Sequence, residues 1–544
     1  MTDAASVAAN VPPITKDILQ DLARRIGVKV PERVEDDHAA LLSSTRDAII
    51  KVAEMEDFVP EADLDTFPRT DISRPAPEDN PYNAWATKAT VRGLSGGILF
   101  GKTLVLKDNI CLAGVPCEFG TQVFSDWVPT TDATVVKRAL DAGITIVGKA
   151  TCENFCAYGV SNTAAHGPVG NPYDSTRSSG GSSSGCGVLV AIGKVDMAIG
   201  GDQGGSIRIP ASHVGIVGLK PTFGLVPYTG IISSETSVDH AGPMTRDVMT
   251  NAELLGVIAG VDGLDDRQIA GTPFPSQVPA YSQLLSAARS ARALLSVAET
   301  GTSPAPGEPR KLRVGILLEG HTFQEMDPRV ANLVRGAAQK FADLGAEVTE
   351  ISVPGHSQGA LLGRVHRLTQ YNNLLGRASG TRQIYQNDLM QKILPWTQEK
   401  FDKLWFVSAG LLLQGQYADE HLPYLHGKTH NLIRKLRYDY DAAFTKVDVL
   451  IMPTLPWVAK VLLPQDAPPL AHFNDSVGLN TNTAPFNLTG HPALSLPCGM
   501  LPPPEGPDHL RLPVGLQLVG RYHDELTLYK AALAWSDAYD WESL

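Results

Sequence analysis

Ser206 lies in the segment GGDQGGSIRIP, which covers residues 200–210. Two glycine pairs precede the serine and an apolar run ending in proline follows it, so the backbone can approach a ligand closely there. A serine hydroxyl is a weak nucleophile unless a base takes its proton, and no histidine stands beside Ser206. If Ser206 is a nucleophile, its base must come from another part of the chain.

A candidate base is Lys107, in the segment VLKDN (105–109). A lysine can serve as a base when burial lowers its pKa from about 10.4 toward neutrality. Lys107 lies in an apolar, strand-like run, where burying a charged ammonium is costly and the neutral amine is favoured. In the alternative interpretation, Lys107 ends a strand and either reaches solvent or pairs with Asp108. The residues by themselves leave both interpretations open.

A third segment, SGGSSSG (179–185), contains further serines. Together the three segments resemble the motifs of the amidase signature family of serine hydrolases. The separation of 24 residues between Ser182 and Ser206 is the one that this family shows, and further similar segments extend the resemblance over roughly residues 85–530. The matching motifs are Lys107-Asp108-Asn109, Gly180-Gly181-Ser182-Ser183 and Gly201-Asp202-Gln203-Gly204-Gly205-Ser206-Ile207-Arg208.

The resemblance implies a Ser-Ser-Lys triad. Ser206 is then the nucleophile, Ser182 the proton relay, and Lys107 the final base and acid. The relay serine of the family follows a cis peptide bond, so the bond between Gly181 and Ser182 is expected to be cis. This chemistry requires no cofactor and no metal.

The glycines before Ser206 keep side chains away from the backbone amides. The amides of Gln203, Gly204, Gly205 and Ser206 are therefore expected to converge on the oxyanion of a tetrahedral intermediate. Removing one such donor typically costs about 3 kcal/mol of barrier.

Three further residues are expected to support the triad: Ser183, Asp202 and Arg208. A functional interpretation has Arg208 bind an anionic substrate, whereas the favoured one is an internal ion pair with Asp202 that holds the loop. The chain departs from the family pattern at Ser184, where a glycine is usual. If that position needs a positive φ, the serine is strained there.

The elements that position these residues are predicted from hydrophobic periodicity. Residues 1–80 form a helical N-terminal extension, and the catalytic domain covers 81–544. Short apolar runs alternate with helical patterns from about residue 100, which predicts an α/β architecture. The resemblance implies a single large α/β/α domain with a central mixed, twisted sheet covered by helices. Residues 299–311 are expected to form a surface linker.

Residues 357–445 are helical in pattern and are predicted to supply the substrate pocket. Their aromatic residues either line the acyl pocket or belong to ordinary core, because helical spacing fits both. The residues concerned are Tyr371, Trp396, Trp405 and Tyr417.

Two other motifs indicate rival classes of enzyme. GGILFGKT (96–103) satisfies the P-loop pattern, but a P-loop needs a helix after it, and the strand-like TLVLKDN follows here. GSSSG (181–185) satisfies the nucleophile-elbow pattern centred on Ser183, but a polar loop leads into it instead of a buried strand. Both are interpreted as chance matches.

The six cysteines of this chain are expected to be reduced thiols, since the N-terminus lacks a secretion signal. Cys152 and Cys156 have the spacing of metal ligands on a helix face, but no second Cys/His pair of suitable spacing follows. The net charge of −12, without a basic stripe, argues against nucleic acid and anionic membranes as partners. A cytoplasmic location is the expectation.

Within the family, CENFCAYG and GGDQGGSIRIPA look most like the amidases of nitrile metabolism. These hydrolyse small aliphatic and aromatic amides, releasing ammonia or an amine, so an acylamide amidohydrolase is expected. A carbamate or ester hydrolase with the same triad remains an alternative, and a homodimer is expected from the family.

Overall fold

The computed structural model describes residues 11–124, 126–268, 270–297, 310–377 and 382–544. The chain divides into two units, Met1–Pro60 and Glu61–Leu544. The first unit contains the helices α1 (Lys16–Arg25) and α2 (Glu35–Ala53). The predicted helices of the N-terminal extension are therefore present before Pro60.

The second unit contains a sheet of twelve strands and two short pairs of strands, β5 with β6 and β10 with β11. The strands are β1 (Arg69–Ser73), β2 (Trp85–Arg92), β3 (Thr103–Lys107), β4 (Thr145–Ala150), β5 (Gly170–Asn171), β6 (Asp174–Ser178), β7 (Met197–Asp202), β8 (Val217–Lys220), β9 (His240–Thr245), β10 (Ser296–Val297), β11 (Arg310–Lys311), β12 (Arg313–Leu317), β13 (Glu347–Ile351), β14 (Val449–Pro453), β15 (Ala493–Leu501) and β16 (Leu512–Gly520).

The order of the large sheet is β1-β2-β4-β3-β7-β9-β8-β15-β16-β14-β12-β13. Strand β3 runs parallel to β4 and β7, and β12 runs parallel to β13 and β14, whereas the other neighbours are antiparallel. The predicted mixed sheet is thus confirmed. Strand β1 lies within residues 1–80, predicted as a helical extension, and it pairs with β2 instead.

The helices of the second unit account for most of the remaining regular structure. In the described ranges no helix is long and apolar enough to cross a membrane. The helices are α3 (Thr134–Asp141), α4 (Ser184–Ala191), α5 (Arg208–Val214), α6 (Val248–Ile258), α7 (Tyr281–Ser290), α8 (Pro328–Asp343), α9 (Gly359–His366), α10 (Gln370–Leu374), α11 (Asn387–Ile393), α12 (Gln398–Asp402), α13 (Phe406–His421), α14 (Leu425–Phe444), α15 (Pro469–Ser476), α16 (Ala484–Thr489) and α17 (Glu525–Ala538).

Strand β3 is buried along most of its length. Leu104, Val105 and Leu106 are all inaccessible to solvent, and such a continuous apolar run is typical of a strand covered on both faces. Val105 belongs to one apolar cluster with Val188 of α4 and Ala198 of β7. The sequence pattern and the burial therefore agree for the strand that carries Lys107.

The arrangement of β3 and β7 brings together the three segments that contain Lys107, Ser182 and Ser206. The two strands are parallel neighbours, with Leu106 opposite Ile199, so their carboxyl ends lie at the same edge of the sheet. Lys107 ends β3, and Ser206 follows β7. Helix α4 and the turn after it lead from Ser182 into β7, which places Ser182 at the same edge.

Two further predictions have structural outcomes. Strand β3 begins at Thr103, the last residue of the P-loop pattern at 96–103, so a strand lies where a nucleotide-binding loop needs a helix. The predicted linker at 299–311 lies outside the described residues, apart from Arg310–Lys311, which pairs with Ser296–Val297.

Candidate active site

Lys107 is fully buried at the carboxyl end of β3. Its Nζ atom donates a hydrogen bond to Oγ of Ser182 at 2.8 Å and another to the carbonyl oxygen of Gly201 at 3.2 Å. Asp108 lies 3.3 Å from Nζ of Lys149 and forms its ion pair there. The alternatives in which Lys107 reaches solvent or pairs with Asp108 are therefore not realised.

Two other lysines, Lys149 and Lys220, are buried as fully as Lys107, and sequence reasoning did not single them out. Lys149 is paired with Asp108. Lys220 donates to a backbone carbonyl at 2.8 Å, and burial together with the nearby charge of Arg208 lowers its pKa well below its usual value. Of these three lysines, Lys107 is the one whose amine donates to a serine hydroxyl.

Ser182 is fully buried, and the peptide bond between Gly181 and Ser182 is cis, as the resemblance implied. A Cβ atom on Gly181 would lie 2.7 Å from Oε1 of Glu153, so a larger residue requires that side chain to move. The Glu153 amide donates to the Ser182 carbonyl oxygen at 3.3 Å. The segment around Glu153 thereby supports the position of Ser182 beside Lys107.

Ser206 is 7% exposed and lines a cavity of about 120 Å³ together with Cys156 and Gln203. Its carbonyl oxygen accepts a hydrogen bond from the Ser183 amide at 3.2 Å, which ties the two serine loops together. Within the described ranges no hydrogen bond joins the hydroxyls of Ser182 and Ser206. The structure therefore forms the lysine–serine contact and leaves the Ser206 hydroxyl available at the cavity.

Ser183 is engaged with the backbone of β7. Its hydroxyl donates to the Gly201 carbonyl oxygen at 3.1 Å and accepts from the Gly201 amide at 3.3 Å. The side chain is fully buried, unlike the exposed serine of a nucleophile elbow. Ser184 begins α4 with a helical backbone and no positive φ, so the departure from the family's glycine brings no left-handed strain.

The four amides expected to face the oxyanion do not all point the same way. The Gly205 amide donates to Oδ1 of Asp202 at 2.7 Å, so that it is directed to the carboxylate. This corrects the expectation of four converging donors, because a side-chain acceptor competes for one of them. The amides of Gln203, Gly204 and Ser206 remain as candidates for the oxyanion.

Asp202 and Arg208 form a fully buried ion pair, with Nη2 and Oδ1 3.0 Å apart. Burial by itself raises the pKa of Asp202, but the charge and hydrogen bonds of Arg208 outweigh it and hold that pKa well below the usual range. Arg208 also donates to Asn487 Oδ1 and Gln517 Oε1 at 2.7 and 2.8 Å. The guanidinium is thus engaged inside the protein instead of facing a substrate.

A larger cavity of about 360 Å³ adjoins the one at Ser206, because Gln370 lines both. Residues from α10, α11 and the segment around Tyr228 form its walls. Apolar and aromatic side chains predominate, among them Phe119, Phe155, Ile232, Leu374, Leu389 and Met390.

The segment 357–445 contributes to this cavity, but not through the residues named from its sequence. Tyr371 and Trp396 pack within an apolar cluster, Trp405 contacts neighbouring aromatic rings, and Tyr417 is 66% exposed. None of the four lines either cavity. Helical periodicity identifies residues that share a face, but it does not identify the neighbour that this face meets.

The fold and the site define an α/β enzyme with one large mixed sheet and a buried lysine–serine pair at a strand edge. The family model for amidases matches residues 76–529. The chain therefore belongs to the amidase family, whose members act on amide C–N bonds, and the resemblance inferred from the motifs is confirmed.

Individual relatives agree with this assignment. The enantioselective amidase of Rhodococcus rhodochrous is 36% identical over 489 residues, which cover 88% of this chain and 87% of that protein. A glutamyl-tRNA(Gln) amidotransferase subunit of Picosynechococcus sp. is 35% identical over 455 residues, covering 82% and 85%. The structure of native peptide amidase from Stenotrophomonas maltophilia matches with a TM-score of 0.63 at 26% identity, covering 81% and 83%.

Proposed function

We propose that this protein hydrolyses amides with an uncharged aliphatic or aromatic acyl group, using a Ser206 acyl-enzyme and a proton relay through Ser182 to Lys107. The observation that carries the proposal is the 2.8 Å hydrogen bond from Lys107 Nζ to Ser182 Oγ, buried beside the loop of Ser206. Membership of the amidase family supports the amide bond as the bond cleaved.

In the first half of the reaction, Oγ of Ser206 attacks the carbonyl carbon of the substrate. Its proton passes to Ser182 while the proton of Ser182 passes to Lys107. The backbone amides near Ser206 donate to the negatively charged oxygen of the tetrahedral intermediate, and each such donor typically contributes about 3 kcal/mol. Lys107 then returns the proton through Ser182 to the departing nitrogen, and the C–N bond breaks.

In the second half, water takes the place of the departed ammonia or amine. The same relay removes a proton from the water as it attacks the acyl-enzyme, and returns the proton to Oγ of Ser206 as the ester bond breaks. The carboxylic acid leaves and Ser206 is restored. The buried Lys107–Ser182 contact serves both halves, because each transfers one proton in each direction.

The character of the larger cavity supports an uncharged acyl group. Among the described residues that line it, Arg267 is the one charged side chain. Its guanidinium pairs with Asp239 and Asp265 at 3.0 and 2.8 Å, so its charge is balanced inside the protein. Carboxylates on the acyl side of a substrate therefore find no free cation among these described residues, whereas aliphatic and phenyl groups gain from apolar burial.

Filling the larger cavity should change the acyl preference. The substitution Ile232→Trp is expected to lower kcat/KM for 3-phenylpropionamide by about 10- to 100-fold, since a changed fit in an apolar pocket is worth roughly 1–3 kcal/mol. Acetamide, which needs little of this space, should lose less than about threefold by the same argument. Steady-state ammonia release from both substrates measures the ratio.

The control for this prediction is Ile98→Trp, which adds the same side chain at a position 64% exposed. Its ratio of the two kcat/KM values should match that of the unmodified protein. An equal loss for both substrates in Ile232→Trp would contradict the assignment of this cavity to the acyl group.

The nucleophile is tested by labelling with a fluorophosphonate and mapping the modified peptide. We expect the label on Ser206. Label on Ser183, or no label on a protein that hydrolyses amides, would overturn the mechanism.

A substrate panel separates the remaining functions. Carbamates and esters with the same acyl groups test the alternative hydrolase activities, which share the triad. Preferential hydrolysis of glutamine would favour a role in an amidotransferase complex, for which the 35% identity to a glutamyl-tRNA(Gln) amidotransferase subunit is the motivation.

A further inference from the structure

Two cysteines lie in the segment that supports Ser182. Cys152 and Cys156 flank Glu153, whose amide donates to the Ser182 carbonyl oxygen at 3.3 Å. In the described part of the chain no group of three or more His, Cys, Asp or Glu side chains could hold a metal ion. Cys152 and Cys156 therefore have no third metal ligand beside them among these residues. Their closeness to the active site needs an explanation other than metal binding.

Cys156 faces the catalytic cavity. It lines the 120 Å³ cavity together with Ser206, in a short turn where its own φ is +52°. Its thiol interacts with Lys107, Ser182 and Cys152. Burial alone raises the pKa of the Cys156 thiol, but these neighbours outweigh burial and lower it below its usual value.

The other cysteines provide a contrast. Cys186 is fully buried in α4, and burial raises its pKa to about 12 although Lys107 lies near enough to oppose the shift. Burial also raises the pKa of Cys111 to about 12. Cys152 is more deeply buried than Cys156, and its pKa is raised well above the usual value, first by burial and then by Cys156.

We propose that Cys156 is an oxidation site at which hydrogen peroxide reversibly inactivates the hydrolase, with Cys152 as the resolving thiol. Access and the neighbouring groups support this assignment. The cavity admits a molecule as small as peroxide to Cys156, and Cys152, Lys107 and Ser182 favour its thiolate, which is the reactive form.

The chemistry uses one peroxide and both thiols. The Cys156 thiolate attacks one peroxide oxygen, the O–O bond breaks, and the second oxygen leaves as water after taking up a proton. The sulfur is thereby oxidised to a sulfenic acid. The Cys152 thiol then attacks the Cys156 sulfur, the S–S bond forms, and the sulfenic oxygen leaves with two protons as a second water.

A disulfide between Cys152 and Cys156 is expected to disturb the contact of this segment with Ser182. Glu153 lies between the two cysteines, and Oε1 of its side chain lies 2.7 Å from the position that a Cβ on Gly181 would take. Joining the two sulfurs requires the turn to move, which displaces the Glu153 amide from Ser182. The Lys107–Ser182 contact is then disturbed, and this consequence for activity rests on the proposed function.

The test exposes the protein to hydrogen peroxide and follows both activity and covalent state. Both cysteines lie in one tryptic peptide, residues 150–177. We expect this peptide to become lighter by two hydrogens under non-reducing conditions as amide hydrolysis falls, and both changes to reverse with dithiothreitol. In the variant Cys152→Ser, dimedone should trap the sulfenic acid on Cys156.

Two variants give the decisive comparison. Cys156→Ser should lose activity, relative to its own untreated sample, about tenfold more slowly than the unmodified protein, since its reactive thiolate is gone. The control Cys186→Ser, which removes a buried thiol of raised pKa, should be inactivated at the unmodified rate.

Equal rates for Cys156→Ser and the unmodified protein, or loss of activity while peptide 150–177 keeps its mass, would overturn the proposal. If no amide is hydrolysed, the proposed function fails, whereas the peptide mass and the dimedone adduct still report on the cysteines.

Discussion

Replacing Ser206 with alanine is expected to reduce kcat for amide hydrolysis by at least about 10⁴-fold, since loss of the nucleophile removes the acyl-enzyme route and leaves general binding and oxyanion stabilisation. KM should change little, because the side chain is small and the acyl group is proposed to bind mostly in the neighbouring cavity. Ammonia release at saturating substrate gives kcat, and circular dichroism checks that the variant is folded.

The matched control is Lys102→Ala in the segment 96–103. Lys102 is exposed, and its replacement should leave kcat near that of the unmodified protein. Loss of activity in Lys102→Ala with activity retained in Ser206→Ala would instead favour the nucleotide-dependent enzyme that the P-loop pattern suggests.

Replacing Lys107 with methionine is expected to lower kcat for amides by about 10³-fold or more, as expected for loss of a general base that activates a nucleophile. Esters of the same acyl groups should lose less, because a departing alkoxide needs protonation less than a departing amine does. The rate of fluorophosphonate labelling at Ser206 should also fall. These three measurements separate a proton-transfer role from a structural one.

Ser182→Ala should show the same pattern, and the double variant should be little worse than either single one, since residues that act as a unit have non-additive effects. Lys220→Met is the control, because Lys220 is equally buried but donates to a backbone carbonyl. It should retain most of the activity. Additive losses for Lys107 and Ser182 would contradict a shared relay.

The local elements of the site are well predicted by the sequence. The apolar run before Lys107 forms the buried strand β3, and the same strand argues against a nucleotide-binding loop at 96–103. Both predictions rest on residues that are adjacent in the sequence, because a short, continuous apolar run indicates a strand that is buried on both faces.

Contacts between distant segments were predicted less well. Three features required the tertiary structure: the pairing of Asp108 with Lys149, the hydrogen bond from the Gly205 amide to Asp202, and the position of the four candidate aromatic residues outside the pocket. Each depends on which of several suitable partners lies within hydrogen-bond or packing distance, and periodicity contains no information on that choice.

The sequence by itself determined the family, the mixed α/β architecture and the residue types of the lysine–serine site, because glycines, serines and a lysine at these spacings are recognisable without coordinates. The tertiary structure decided that Lys107 meets Ser182 and not Asp108, that Ser183 is bound to the backbone, and that Cys156 faces the cavity. The physical reason is that β3 and β7 become neighbours through long-range pairing. Hydrogen bonds act over about 3 Å. The register between neighbouring strands therefore determines, more than residue type does, which polar groups become hydrogen-bond partners.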